Sequence, residues 1–176
     1  MIVVADTSPL NYLIQIDCDS LLPQLFDQTL VPSGVMQELG HASAPAVVRA
    51  WLLRVPAWLE VSLTRAPPDA ELAFLGLGER EAIQLAEEKH ADLLLVDERK
   101  GRLHAARRGL KSIGTLGVLL SAGQRRLLDP EVATIGYSPK PPSAPQRCCK
   151  PNSSGSSNAG HLRTCGSPAT LTPLIK

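Results

Sequence analysis

Residues 2–9 read IVVADTSP. Residues 2–5 are a continuous apolar run of strand length, and the run stops on Asp6. A strand covered on both faces needs apolar side chains at every position rather than at alternate ones. Thr7, Ser8 and Pro9 then suit a helix start, with a hydroxyl to cap it and a proline in the first turn, where a missing N–H does no harm. A buried strand running straight into a helix predicts an α/β fold around a mostly parallel sheet.

Working outward, the same device returns at residues 93–97, LLLVD, again an apolar run ending on aspartate. Further strands are expected at 29–31, 59–63 and 111–113. Helices are expected over 9–16, 21–25, 32–39 with Gly40 as its stop, 46–53, and from 79 to 90 with Ala82, Leu85 and Ala86 on one stripe. A basic helix over 99–108 is closed by Gly109, and Thr115 caps a last helix over 116–121. Residues 64–77 are Pro-rich and read as loop.

The chain has 176 residues, 44% of them hydrophobic and only 3% aromatic, so its core is built from Leu, Val, Ile and Ala. No stretch approaches the roughly 20 apolar residues of a membrane span, and no export signal opens the chain. A cytoplasmic protein is expected. The net charge of +1 hides an asymmetry. Every acid lies at or before Glu131, and Lys140, Arg147, Lys150, Arg163 and Lys176 follow it. Composition changes in the same region, to SPKPPSAPQ and KPNSSGSSNAGH. Such sequence buries too little surface to offset its ordering entropy. We therefore expect one domain over residues 1–130 and a disordered tail over 131–176. The spacing of Cys18, Cys148, Cys149 and Cys165 fits neither a disulfide framework nor a paired zinc motif. Cys148, Cys149, His161 and Cys165 have metal-binding chemistry, but they fall in the tail.

Two apolar strands ending in aspartate point to a site. In open parallel sheets, ligands bind beyond the carboxyl ends of the strands, where strand order reverses. Carboxylates crowded there repel one another unless one is protonated or a cation lies between them. An oxygen-only cluster suits a hard ion such as Mg²⁺ or Mn²⁺. Asp6 alone would also serve as a helix cap, and Asp97 as a strand-end turn residue. Glu38 sits late in VPSGVMQELG, and Glu79 and Glu81 open the helix in GLGEREAIQLA. Two positions apart on a helix, Glu79 and Glu81 face different ways. Glu81, on the side of Leu85, is slightly preferred. The run Arg99, Lys100, Arg102, Arg107, Arg108, Lys111, Arg125 and Arg126 contains no acid. It suits phosphate contact or a solvated helix face. Platforms for base stacking are nearly lacking.

VVADTSPLNYL, VPSGVMQEL, LGLGEREAIQLAEEKHADLLLVDERKGR and IGTLGVLL, in this order and at these separations, resemble a PIN domain over residues 1 to about 128. The resemblance implies a three-layer α/β/α sandwich with a central, mostly parallel sheet. It implies a Mg²⁺- or Mn²⁺-dependent nuclease acting on single-stranded RNA, often the toxin of a toxin–antitoxin pair. Homodimers and a small antitoxin partner are implied with it. The family's acids fall on Asp6, Glu38, Glu81 or Glu79, and Asp97. Thr7, Ser8 and Thr115 stand where polar site neighbours are expected, and Arg99, Lys100 and Arg102 begin the basic entry. The tail departs from the family pattern. Its consequence would be partial exposure of Leu119, Leu120, Leu127 and Leu128. A catalytically impaired remnant or a binding module is the alternative. A phosphatase with Asp-x-Asp ranks lower, because Asp6 is followed by Thr7 and Ser8.

Overall fold

Five strands, β1 (Ile2–Ala5), β2 (Gln28–Pro32), β3 (Leu59–Ser62), β4 (Leu93–Leu95) and β5 (Ser112–Ile113), form one sheet in the order β3-β2-β1-β4-β5. Every pairing is parallel. Between and after the strands come α1 (Thr7–Gln15), α2 (Leu22–Leu25), α3 (Ser33–Leu39), α4 (Ala46–Leu52), α5 (Leu77–Glu88), α6 (Arg99–Arg107) and α7 (Thr115–Gln124). The structure is a computed structural model that describes residues 1–67 and 69–128. The expected tail over 131–176, with Cys148, Cys149, His161 and Cys165, lies outside the described residues.

The apolar runs have the predicted physical cause. Side chains alternate across a strand. Val3, Ala5 and Leu95 enter one core with Leu10, Leu13, Leu22, Val118 and Ala122. Val4, Leu94 and Val96 enter a second core with Ala82, Ile83, Leu85 and Ala105. Helices α1, α2 and α7 thus cover one face, while α5 and α6 cover the other. The result is a three-layer α/β/α sandwich. Each fully buried Val or Leu contributes about 1.5–3 kcal/mol of transfer free energy.

Several expectations need correction in detail. Asp6, not Thr7 or Ser8, occupies the cap position of α1. Gly114, not Thr115, does so for α7. Residues 64–77 are not free loop. They contain a 3-10 turn, Ala70–Leu72, with Leu72 fully buried. The Arg65 and Ala66 N–H groups donate to Glu88, and Gln84 Nε2 donates to the Pro67 carbonyl. Cys18 is fully buried in the first core. Gly109 ends α6 with φ +73, the left-handed region that glycine enters without strain. The four leucines expected to be partly exposed are so: Leu120 is exposed, and Leu119, Leu127 and Leu128 are half-buried against the first core. Among the described residues, no helix is long and apolar enough to cross a membrane.

The strand order decides where a site can lie. The chain leaves β1 for β2 on one side and later places β4 on the other. Strand order therefore reverses at β1, and a crevice opens beyond the carboxyl ends of β1 and β4.

Candidate functional site

Asp6 directly follows β1, and its N–H donates to the Leu95 carbonyl of β4 at 2.9 Å. Ala5 pairs with Leu95 in the sheet, so Asp97 stands just past the neighbouring strand end. The two aspartates thus flank the point where strand order reverses.

Asp6 is buried, only 3% exposed, and its side chain makes no capping bond to α1. Its carboxyl is pushed up to about 7, chiefly by burial and then by the charges of Glu79 and Glu38. The N–H groups of Thr7 and Ser8 beside it pull the other way.

Glu79 is the second buried acid. Its Oε1 is buried without a hydrogen-bond partner. Burial raises its pKa first, then the charges of Glu98 and Glu38, while the nearby Gly101 N–H and Lys100 partly offset them. Glu98 joins the field of the site, although its sequence offered no signal beyond its place next to Asp97.

Glu38 reaches the cluster from the far end of α3. Its Oε2 accepts the Thr7 hydroxyl at 2.5 Å, and its Oε1 accepts the Gly78 N–H at 2.9 Å. Asp97 is held differently. Its Oδ1 accepts the Thr115 N–H at 2.8 Å and its Oδ2 the Thr115 hydroxyl at 2.5 Å. Glu81, the slightly preferred helix acid, turns elsewhere. Its Oε2 accepts the Gly34 N–H at 2.7 Å and the Ser33 hydroxyl at 3.3 Å, at the start of α3. The structure thus brings Glu79, rather than Glu81, into the electric field of Asp6. Of the basic residues, Arg102 donates to the Asp97 carbonyl at 2.8 Å. Arg99 and Lys100 are exposed on the first turn of α6.

Glycines make these approaches possible. A Cβ at Gly78 would lie 2.6 Å from Glu38 Oε2, one at Gly34 2.8 Å from Glu81 Oε2, and one at Gly114 2.7 Å from Asp97 Oδ1. One at Gly101 would collide with Glu79 Oε1. Each carboxylate rests against backbone that no other residue leaves open. Gly101 was the legible clue, since a glycine inside a helix costs roughly 1 kcal/mol relative to alanine.

Among the described residues, no three His, Cys, Asp or Glu side chains already converge as a cation cage. The donor set nonetheless fits a hard divalent ion. It is all oxygen, its buried Asp6 lies in the field of two like charges, and Glu79 Oε1 lacks a partner. Asp6, Glu38 and Glu79 are the acids that feel one another's charge, and Asp97, just past the end of β4, is held by Thr115.

A family model for DUF3368, described as a PIN domain, matches residues 2–135. No curated protein matches the chain. Among solved structures, a PilT N-terminus domain protein from the archaeon Sulfolobus solfataricus P2 is similar, with 17% identity and a TM-score of 0.49. That alignment covers 69% of this chain and 93% of the archaeal one.

Proposed function

The chain belongs to the PIN-domain family, and from that premise we propose that it is a Mg²⁺- or Mn²⁺-dependent endoribonuclease that cuts single-stranded RNA. One observation carries the reading. Asp6 is buried at the reversal of strand order, makes no capping bond, and lies in the field of Glu79 and Glu38. A structural carboxylate in such a place would be paired with a cation or capped.

Asp6, Glu38, Glu79 and Asp97 would hold the ion, with Glu81 left to its bond with α3. When bound, the ion supplies Lewis-acid chemistry to a phosphodiester oxygen and makes water a better nucleophile at neutral pH. Thr7 and Thr115 orient Glu38 and Asp97, so that the oxygens are set before the substrate arrives. Arg99, Lys100 and Arg102 favour the approach of a polyanion. Hydrolysis joins a water oxygen to phosphorus as the bond to the leaving ribose oxygen breaks. A toxin role with a small antitoxin, and a homodimer, belong to the same proposal.

A second reading is a module that binds RNA without cutting it. It is favoured by the carboxylates' engagement with Thr7, Gly78, Ser33, Gly34 and Thr115 instead of with one another. The test is incubation of the full chain with labelled single-stranded RNA in Mg²⁺, in Mn²⁺ and in EDTA, beside Asp6→Asn. Cleavage that requires both metal and Asp6 establishes the nuclease. RNA bound but intact in every metal establishes the second reading.

A further inference from the structure

Phe74 stands in the segment just before α5, and 58% of it is exposed. Its ring meets that of His104 on α6, with centroids 4.8 Å apart and planes at 59°. Single exposed apolar residues are ordinary. The position of this pair is not. Phe74 is followed closely by Gly78 and Glu79, the first holding Glu38 and the second buried beside Asp6. His104 lies about one turn along α6 from Gly101, against which Glu79 packs. The pair therefore joins the segment before α5 to α6, the two elements that also carry Gly78, Glu79 and Gly101.

Charge completes the surface. Lys100, His104 and Arg107 fall four and then three residues apart on α6, so they share one side of the helix. Lys100 and Arg107 are exposed, and Lys100 is close enough to Glu79 for its charge to be felt there. An aromatic face between two exposed cations combines what sequence-tolerant binding of unpaired nucleic acid needs, a π surface for the base and positive charge for the flanking phosphates.

We propose that Phe74, supported by His104 and flanked by Lys100 and Arg107, is a stacking platform for one unpaired RNA base next to the acidic site. The inference rests on the nuclease reading for its substrate and adds the element that distinguishes single strands from duplexes, whose bases are already stacked. It also revises the expectation that stacking platforms are nearly lacking. The low aromatic content remains, but folding brings the rings of Phe74 and His104 together.

The test measures binding without cleavage. Full-length protein in EDTA is titrated into a labelled oligoadenylate and into an abasic ribose-phosphate oligomer of the same length, and anisotropy is followed. Phe74→Leu keeps an apolar side chain but removes the π face. It should weaken oligoadenylate binding about tenfold and leave abasic binding unchanged. Phe74→Trp should retain affinity, and its added fluorescence, over that of Trp51 and Trp58, should be quenched by oligoadenylate. Unchanged binding by Phe74→Leu, equal loss on both oligomers, or an unquenched Phe74→Trp overturns the platform. Cleavage in Mn²⁺ is assayed on the same preparations. A parent that cuts, with Phe74→Leu binding equally, refutes the platform and leaves the nuclease. A parent that shows the stacking signature but never cuts refutes the nuclease and leaves the platform. A parent that binds no RNA refutes both.

Discussion

The Thr7 hydroxyl donates to Glu38 Oε2 at 2.5 Å, tying the first turn after β1 to the end of α3. These residues are far apart in sequence, and the bond sets one carboxylate of the candidate site relative to another. Removing it tests whether that setting matters. Thr7→Val keeps the shape and deletes the donor. Groups that orient metal ligands typically account for about 10–100-fold in affinity or activity. We expect a loss of that size in Mn²⁺-dependent cleavage, with an unchanged circular dichroism spectrum. Wild-type rates in Thr7→Val would make this bond incidental.

Asp6 gives a prediction about pH. Its carboxyl is raised to about 7 in the folded chain, against about 3.8 for an exposed aspartate. Between those values the folded state holds the extra proton, so stability falls as pH rises. The contribution is fully present below about pH 4 and lost as pH passes about 7. In EDTA, the difference in unfolding free energy between Asp6→Asn and the parent should grow in favour of the variant across this window, by about 2–4 kcal/mol at most. Urea denaturation at pH 5 and pH 8 measures it. A constant difference would contradict the buried, repelled carboxylate.

Metal affinity should show the opposite trend. A divalent cation binds ionised carboxylates and releases their protons. Mn²⁺ binding by calorimetry should therefore tighten from pH 6 to pH 8, and Asp6→Asn should lose most of that dependence along with cleavage. Equal affinity at both values would remove Asp6 from the ligand set.

Gly101 offers a test by sign. In an ordinary helix, glycine to alanine stabilises by about 0.5–1 kcal/mol. Here the added methyl would collide with Glu79 Oε1 and approach Val96 Cγ2 to 2.9 Å. Gly101→Ala should instead destabilise by about 1–3 kcal/mol, as overpacking does, and weaken Mn²⁺ binding by displacing Glu79. A stabilised variant would show that the Glu79 carboxylate does not need the glycine.

Asp97→Asn separates the two aspartates. Asp97 Oδ2 accepts the Thr115 hydroxyl and Oδ1 the Thr115 N–H. The amide retains one acceptor, so α7 should stay docked while metal-dependent cleavage is lost. Full activity in this variant would assign Asp97 to fastening α7 alone.

Apolar runs and chain order were enough to read the layers. A strand covered on both faces declares itself by lacking polar alternation, as at residues 2–5 and 93–95, and the intervening helical periods force parallel connections. The places of Asp6 and Asp97 just past the ends of two strands were legible for the same reason, because each apolar run stops there. Choosing between Glu79 and Glu81 was a different problem. Both open one helix, and periodicity says only that they face apart. The packing of α5 against α3 and α6 selects, since Gly34 receives Glu81 and Gly101 receives Glu79. Phe74 and His104 likewise have no shared local pattern. Their meeting depends on how the segment before α5 folds over α6. Local sequence determines which residues must be buried and where strands stop. The company a side chain keeps across elements is set by tertiary packing, because it arises from surfaces far apart in the chain.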